Sequence, residues 1–166
     1  MNINKPVTDF LQKPIDFKTI IICLITSILS YANHATLFSM NCDDIIQVQT
    51  ENIDFFTIGR WGYYFIFNKI PNGNPSGVIA IASGIMILIL AFYLASQFIG
   101  LTSGGAQLVF ILISTVSIYY GILFAFDSVR LAYPIGNLLA IAGLLLIDRR
   151  KFFSGFAMLA SAPGFY

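Results

Sequence analysis

The chain has 166 residues, of which 57% are hydrophobic and 10% are charged, and its formal net charge at pH 7 is +1. Soluble domains carry about 25% charged residues, so this composition is typical of an integral membrane protein. The small net charge argues against nucleic acid as a partner, because no basic face is large enough to release phosphate counterions. Cys23 lies in an apolar run and Cys42 in a loop, so we expect neither a disulfide framework nor a metal pair.

Four apolar segments are predicted to be transmembrane helices, and a fifth begins near the end of the sequence. A helix needs about 20 apolar residues to cross the hydrocarbon core of a bilayer, which is about 30 Å thick. In chain order the predicted spans are residues 19–38, 78–98, 108–126 and 131–147, with a partial span at 152–166. The segment IGLTSGGAQ is predicted to break the chain between the second and third spans. We therefore expect an all-α fold in which residues 1–166 form a single polytopic transmembrane domain.

The lysine and arginine residues predict that the N-terminus is cytoplasmic, because short cytoplasmic loops of membrane proteins carry more basic residues than external loops. In that orientation the cytoplasmic side holds six basic residues: Lys5, Lys13, Lys18, Arg149, Arg150 and Lys151. The external side holds three: Arg60, Lys69 and Arg130. The loop formed by residues 39–77 is then external.

This external loop gathers half of the acidic residues of the chain. Four of the eight lie there within a dozen positions: Asp43, Asp44, Glu51 and Asp54. If residues 43–56 form a helix, all four carboxylates fall within about 100° of arc, given a rotation of about 100° per residue. Apolar residues recur with helical spacing elsewhere on the same segment, so the pattern predicts an amphipathic helix at the membrane interface.

The grouped carboxylates are compatible with three roles. Carboxyl groups crowded beside a low-dielectric membrane raise one another's pKa, and one of them could act as a general base on a hydroxyl. Their oxygens could instead hold a divalent cation, Mg²⁺ or Mn²⁺. The third role is a solvated acidic face, and composition alone favours this last interpretation.

An arginine and several aromatic residues follow in the segment FFTIGRWGYYFIF, residues 55–67. Trp61 and its neighbouring tyrosines suit the head-group region of a bilayer. Arg60 carries a planar fork of donors that can bind a phosphate; an interfacial anchor or a partner for a nearby acid is an equally good interpretation. Arg130, in the second external turn, either pairs with Asp127 or supplies another cation for an anionic head group.

The segments CDDI, residues 42–45, and GRWGYYF, residues 59–65, together resemble a known family. They are similar to the integral-membrane glucosyltransferases that serotype-converting phages and enterobacteria use on O-antigen, which belong broadly to the polytopic GT-C class. The ending SAPGFY is also similar to a segment near the start of a later span in that family. Family members continue through several further spans, so the resemblance implies a GT-C-like fold of which this chain corresponds to the N-terminal part.

The resemblance also implies an activity at the periplasmic face of the bacterial inner membrane. Glucose would pass from an undecaprenyl-phosphate carrier to a lipid-linked O-antigen acceptor. Asp43 or Asp44 would deprotonate the acceptor hydroxyl, and Arg60 would stabilise the phosphate of the departing carrier. The implied substrate-binding set is Arg60, Trp61, Glu51 and Arg130. Mg²⁺ or Mn²⁺ is compatible with such a site, although the good leaving group of the carrier does not require a metal.

Non-catalytic functions are the alternatives. One is a polytopic subunit that binds or translocates lipid-linked sugars, and another is an inactive remnant of the enzyme. An ion-coupled carrier places ionisable residues within its spans, whereas the predicted spans hold none apart from His34 near the edge of the first. A purely structural subunit would explain the hydrophobicity but not the acidic loop.

Overall fold

The computed structural model describes residues 17–36, 77–101, 103–117, 120 and 131–165. These ranges contain five α-helices and no β-strand, so the all-α prediction is confirmed for them. The helices are α1 (Phe17–Thr36), α2 (Gly77–Phe98), α3 (Gly104–Thr115), α4 (Ala132–Asp148) and α5 (Phe152–Ser161), and the 3₁₀ turn Ala162–Phe165 follows α5.

The bounds of α2 and α4 lie within one residue of the predicted spans, and α1 begins two residues before its predicted start. Uncharged segments followed by clear stop signals, Gly100 after α2 and the charged residues 148–151 after α4, explain why these bounds could be placed from sequence. α5 begins at Phe152 as expected, but the α-helix gives way to the 3₁₀ turn before Pro163. Proline has no N–H and disfavours the α conformation in the residue that precedes it.

The predicted third span, residues 108–126, lies only partly within the described residues, where α3 begins at Gly104 and ends at Thr115. Val116 caps the helix through an N–H bond of 2.9 Å to the carbonyl of Leu112, and Ser117 is not helical. The sequence STVS at residues 114–117 weakens the helix at this point, since β-branched residues lose side-chain freedom in a helix and hydroxyls compete for backbone carbonyls. The Thr115 hydroxyl indeed donates to the carbonyl of Ile111 at 2.7 Å.

Aromatic packing keeps the chain beside α2 on both sides of this break. The Phe92 ring packs edge-to-face against Phe110, before the break, with centroids 6.3 Å apart. The same ring packs edge-to-face against Tyr120, after the break, at 5.9 Å. Edge-to-face pairs at these distances are favourable beyond their buried area, so Phe92 stabilises the interrupted segment at two points.

The helix α2 is the centre of the arrangement and contacts α1, α3 and α4. Its buried residues Ile85 and Leu88 belong to a core that also contains Cys23 and Tyr31 of α1. Residues in the first turns of α1 lie beside residues 86–93, in the middle and second half of α2, as expected of antiparallel neighbours. α4 in turn contacts α5 and the 3₁₀ turn, so α4 connects the central helix to the C-terminal end of the chain.

Within the described ranges one helical segment, Ile79–Phe98, is long and apolar enough to cross a membrane. Four shorter apolar helical segments have 10–17 residues: Phe17–Tyr31, Gly104–Thr115, Ala132–Asp148 and Phe152–Phe165. A buried helix of a soluble protein can have the length and composition of Ile79–Phe98, so four to five transmembrane helices stay a prediction.

Two glycines allow α4 and α5 to pack in very close contact. A Cβ placed on Gly143 would lie 2.9 Å from the carbonyl oxygen of Gly155 and 2.9 Å from Cγ of Leu159. A Cβ placed on Gly155 would lie 2.8 Å from the carbonyl oxygen of Gly143 and 2.5 Å from Cγ1 of Ile147. Backbone atoms stand on both sides of the contact, so an added methyl group can be accommodated only if the helices move apart.

We expect Gly155→Ala and Gly143→Ala each to lower the free energy of unfolding by about 1–3 kcal/mol, the usual cost of overpacking. Gly104→Ala is the matched control, because nothing lies within 4 Å of a Cβ at that helical position. It should be neutral or slightly stabilising. Thermal unfolding of the purified protein in detergent, followed by circular dichroism, measures all three. Equal midpoints for Gly155→Ala and Gly104→Ala would contradict close packing of α4 on α5.

Candidate functional site

The six residues predicted to form the site all lie outside the residues that the structure describes. Five are in the segment 37–76, and the sixth is in the segment 121–130. They are Asp43, Asp44, Glu51, Arg60, Trp61 and Arg130. Their roles therefore remain predictions, and the structure describes the helices from which their segments begin.

The helices beside the acidic segment fix both of its ends. α1 extends to Thr36 and α2 begins at Gly77. Because these helices are antiparallel neighbours, the 40 residues between them leave and return at the same end of one helix pair. Residues 43, 44 and 60 all belong to this connecting segment.

The described ranges contain no cluster of acidic residues. They contain no group of three or more histidine, cysteine, aspartate or glutamate residues that could hold a metal ion. Asp148 is the single acidic residue within them. The predicted acidic quartet lies in the segment 37–76, outside the described residues.

A buried group of hydroxyls, which we call the hydroxyl cluster, joins α1 to the end of α3. Its members are Ser27, Tyr31 and Thr115, which are 0%, 4% and 1% exposed. The Ser27 hydroxyl donates to the hydroxyl of Thr115 at 3.3 Å. The Tyr31 hydroxyl donates to the backbone carbonyl of Thr115 at 2.6 Å and lies 3.3 Å from that of Ser117. The cluster thus provides hydrogen-bond partners at the point where α3 breaks.

This contact matters because the last carbonyls of a helix have no partner within the helix. Thr115 and Ser117 flank the break, and their carbonyls are placed in an apolar core where an unsatisfied acceptor costs about 1–3 kcal/mol. The phenol of Tyr31 reaches them from the neighbouring helix. Its chemistry is hydrogen bonding between neutral groups, so the hydroxyl cluster is suited to fixing helix positions rather than to moving a proton.

Sequence reasoning did not single out the hydroxyl cluster, although a signal for it exists. Cys23, Ser27 and Tyr31 recur every four residues along α1, and all three are buried. Residues with this spacing occupy one helix face. Polar residues on one stripe of an otherwise apolar helix indicate the face that packs against other helices.

A half-enclosed apolar groove of about 350 Å³ lies between α1 and α2. Almost all of its lining is hydrocarbon, and its residues are Ile20, Leu24, Met86, Ile87, Ile89, Leu90 and Tyr93. The α1 residues come from the first two turns of that helix, and the α2 residues come from its middle and its second half. The groove is therefore beside the start of α1 and the middle of α2, and it suits a hydrocarbon chain rather than a sugar.

Comparison of the chain with protein-family models, with curated proteins and with solved structures finds no match. The similarity to O-antigen glucosyltransferases rests on the residues of the segments CDDI and GRWGYYF. The glucosyltransferase assignment is therefore a proposal.

Tyr31→Phe should lower the free energy of unfolding by about 1 kcal/mol, the scale of a hydrogen bond between helices in apolar surroundings. Amide hydrogen exchange at residues 111–117 should accelerate, because the carbonyls at the end of α3 lose a partner. Ser30→Ala is the matched control, since Ser30 is exposed and bonds to Thr26 of its own helix. Unchanged exchange at 111–117 in Tyr31→Phe would contradict this role of the phenol.

Proposed function

We propose that this chain is a multi-pass protein of the bacterial inner membrane that acts as a glucosyltransferase, or as the N-terminal part of one. It would transfer glucose from an undecaprenyl-phosphate carrier to a lipid-linked O-antigen acceptor at the periplasmic face. The observation that carries this proposal is the pairing of CDDI with GRWGYYF in the segment that joins α1 to α2. A paired carboxylate and guanidinium between adjacent helices are the groups that such a transfer needs.

The exterior of the bundle supports a membrane location. Each of the five helices exposes large apolar side chains, and Leu29 is 71% exposed, Ile113 69% and Phe153 90%. A soluble protein rarely leaves contiguous apolar surface of this extent in contact with water. Hydrocarbon tails are a suitable solvent for such a surface, so helices shorter than α2 can also be in contact with lipid.

The interior supports the same conclusion. Hydroxyl groups and glycines occupy the contacts between helices: the hydroxyl cluster between α1 and α3, and Gly143 with Gly155 between α4 and α5. Packing of membrane helices relies on small residues and interhelical hydrogen bonds, because lipid provides no hydrophobic force between apolar helices. Small or polar residues at these two contacts, beside the apolar core that contains Ile85 and Leu88, are compatible with a bilayer protein.

Charge supports a cytoplasmic N-terminus. Lys18 lies at the start of α1, and Arg149, Arg150 and Lys151 form the turn between α4 and α5. If the helices alternate across the membrane, these four cations share one side, which is the cytoplasmic side by the positive-inside bias. The segment 37–76 is then periplasmic, where the carrier would present its glucose.

The proposed chemistry uses the acidic pair and Arg60. One carboxylate, Asp43 or Asp44, takes the proton of the acceptor hydroxyl as its oxygen attacks the anomeric carbon of glucose. The bond between that carbon and the carrier phosphate breaks, and the phosphate leaves with the bonding electrons. Arg60, helped by Arg130, stabilises the charge that develops on the phosphate. Adjacent residues of a helix point about 100° apart, so the second aspartate orients Arg60 or raises the pKa of the first.

The apolar groove gives the carrier tail a place to bind. An undecaprenyl chain is pure hydrocarbon, and the lining of the groove is hydrocarbon as well. Since the groove is beside the start of α1 and the middle of α2, it would hold part of the tail inside the membrane while the phosphate stays at the periplasmic face. Burial of each methylene group contributes about 0.8 kcal/mol, so a filled groove would favour long carriers over short ones.

Membranes that contain the chain, supplied with undecaprenyl-phosphate-glucose and an O-antigen acceptor, test the catalytic proposal. We expect Asp43→Asn and Asp44→Asn to lower transfer by about 10²-fold or more, with unchanged membrane abundance, because the base is lost. Asp54→Asn is the matched control, a carboxylate of the same segment with no assigned role. Wild-type transfer in both single variants and in the double variant would exclude this mechanism. Carrier binding without any transfer by the wild-type chain would favour the non-catalytic alternative.

Leu24→Trp tests the groove, because the larger side chain should fill it. We expect the KM for undecaprenyl-phosphate-glucose to rise by about tenfold, which corresponds to the loss of roughly two buried methylene groups. The kcat should not change, and a carrier with a short tail should be used as well as by the wild type. Leu29→Trp adds the same indole on the exposed face of α1 and serves as the control. An equal rise of KM for short and long carriers would exclude the groove as the site of the tail.

A further inference from the structure

The turn between α4 and α5, residues 148–151, has an unusual backbone. The N–H of Arg150 bonds to the carbonyl of Ile147 at 2.9 Å, and the N–H of Lys151 bonds to that of Leu146 at 2.8 Å. This pair of bonds is the Schellman motif, whose turning residue adopts the left-handed conformation. Arg150 does so with a φ of 60°.

The chain contains a second Schellman motif that shows which residue this backbone prefers. At the end of α2 the N–H of Gly100 bonds to the carbonyl of Gln97 at 3.0 Å, and the N–H of Leu101 bonds to that of Ser96 at 2.9 Å. The turning residue there is Gly100, with a φ of 79°. Glycine adopts this conformation without the steric penalty that a side chain brings. An arginine in the equivalent position of the other motif therefore indicates a use for its side chain.

The turn also carries a concentrated positive charge. Arg149, Arg150 and Lys151 are consecutive, Arg150 and Lys151 are exposed, and Asp148 is the one acidic residue in the described part of the chain. Arg149 is partly buried, and its Nε is a buried donor without a hydrogen-bond partner among the described residues. The three cations thus exceed the nearby acidic charge by two, which leaves capacity for an external anion.

Exposed aromatic rings directly follow these cations. Phe152 is 54% exposed and Phe153 is 90% exposed at the start of α5. Cations beside exposed apolar rings match the boundary of a bilayer, where head groups carry charge and acyl chains begin. A soluble anion would match the cations but not the rings.

We propose that the turn 148–151, together with Phe152 and Phe153, is a binding surface for the phosphate head groups of anionic phospholipids. This proposal rests on the membrane location given under the proposed function. The guanidinium groups and the ammonium group bind phosphate oxygens, and the two rings enter the acyl region beside them. The contact fixes the depth of the α4–α5 hairpin in the leaflet that it faces.

The test uses the full chain in detergent, with native mass spectrometry and equal amounts of phosphatidylglycerol and phosphatidylcholine that have identical acyl chains. The wild type should bind phosphatidylglycerol preferentially. The triple variant R149Q/R150Q/K151Q should lose most of that preference, because each cation removed should lower the affinity for phosphatidylglycerol about fivefold. D148N, which removes the neighbouring acidic charge, should strengthen it.

Two substitutions of Arg150 separate lipid binding from a structural role. Arg150→Gly suits the left-handed backbone and should raise the unfolding temperature, yet it should weaken the preference for phosphatidylglycerol. Arg150→Lys keeps the charge and should retain the preference. A full preference in both R150G and the triple variant would overturn the proposal. Displacement of the lipid by millimolar inorganic phosphate would also overturn it, because the surface would then bind a soluble anion.

Failure of this proposal can be distinguished from failure of the proposed function. A chain that resists extraction by alkaline carbonate and transfers glucose, but shows no preference for phosphatidylglycerol, overturns the lipid surface alone. Release of the chain by carbonate overturns the membrane location on which both depend. A preference that persists in a chain without transfer activity supports the lipid surface and counts against the enzyme.

Discussion

The Tyr31 hydroxyl donates a hydrogen bond of 2.6 Å to the carbonyl of Thr115, and this bond satisfies a carbonyl at the end of the short helix α3. The helix α3 stops after 12 residues, about 18 Å of rise, and its last carbonyls are in an apolar core rather than in water. In such surroundings irregular backbone persists only where the protein itself supplies partners. Tyr31 does this from α1, and Ser27 adds a second bond to the same residue of α3. The interrupted helix, and the position of the chain after it, depend on this contact.

The same constraint explains how much of the fold the sequence could predict. The bounds of α2 and α4 could be predicted within one residue because both segments are uncharged and end at clear stop signals, Gly100 and the charged residues 148–151. α3 could not be placed in this way, since residues 108–126 form an equally apolar run and hydropathy carries no information about a break. The break arises where Thr115 directs its hydroxyl to its own helix and Tyr31 supplies a partner from another. That second requirement is a tertiary contact, which a window along one segment does not contain.

Sequence likewise predicts one part of the candidate site, and the structure supplies the other part. The acidic quartet and Arg60 stand out from sequence because charge is rare in this chain, so a local excess is conspicuous. Their attachment to two adjacent antiparallel helices is information that only the arrangement of α1 and α2 supplies. The four-residue spacing of Cys23, Ser27 and Tyr31 indicates one face of α1. It does not indicate which helix that face contacts, and only the bonds to Thr115 show that the partner is α3.

The segment that connects α1 to α2 is polar, whereas the groove between these helices is apolar. The connecting segment contains carboxylates, an arginine and aromatic rings. The groove, by contrast, is lined almost wholly by hydrocarbon. A lipid-linked donor has the same asymmetry, with a charged head and a long apolar tail. If the tail fills the groove as proposed, the reacting phosphate would stay at the periplasmic face. In the proposed orientation the turn that contains Arg149, Arg150 and Lys151 is cytoplasmic, so these cations would not compete with Arg60 for the carrier phosphate.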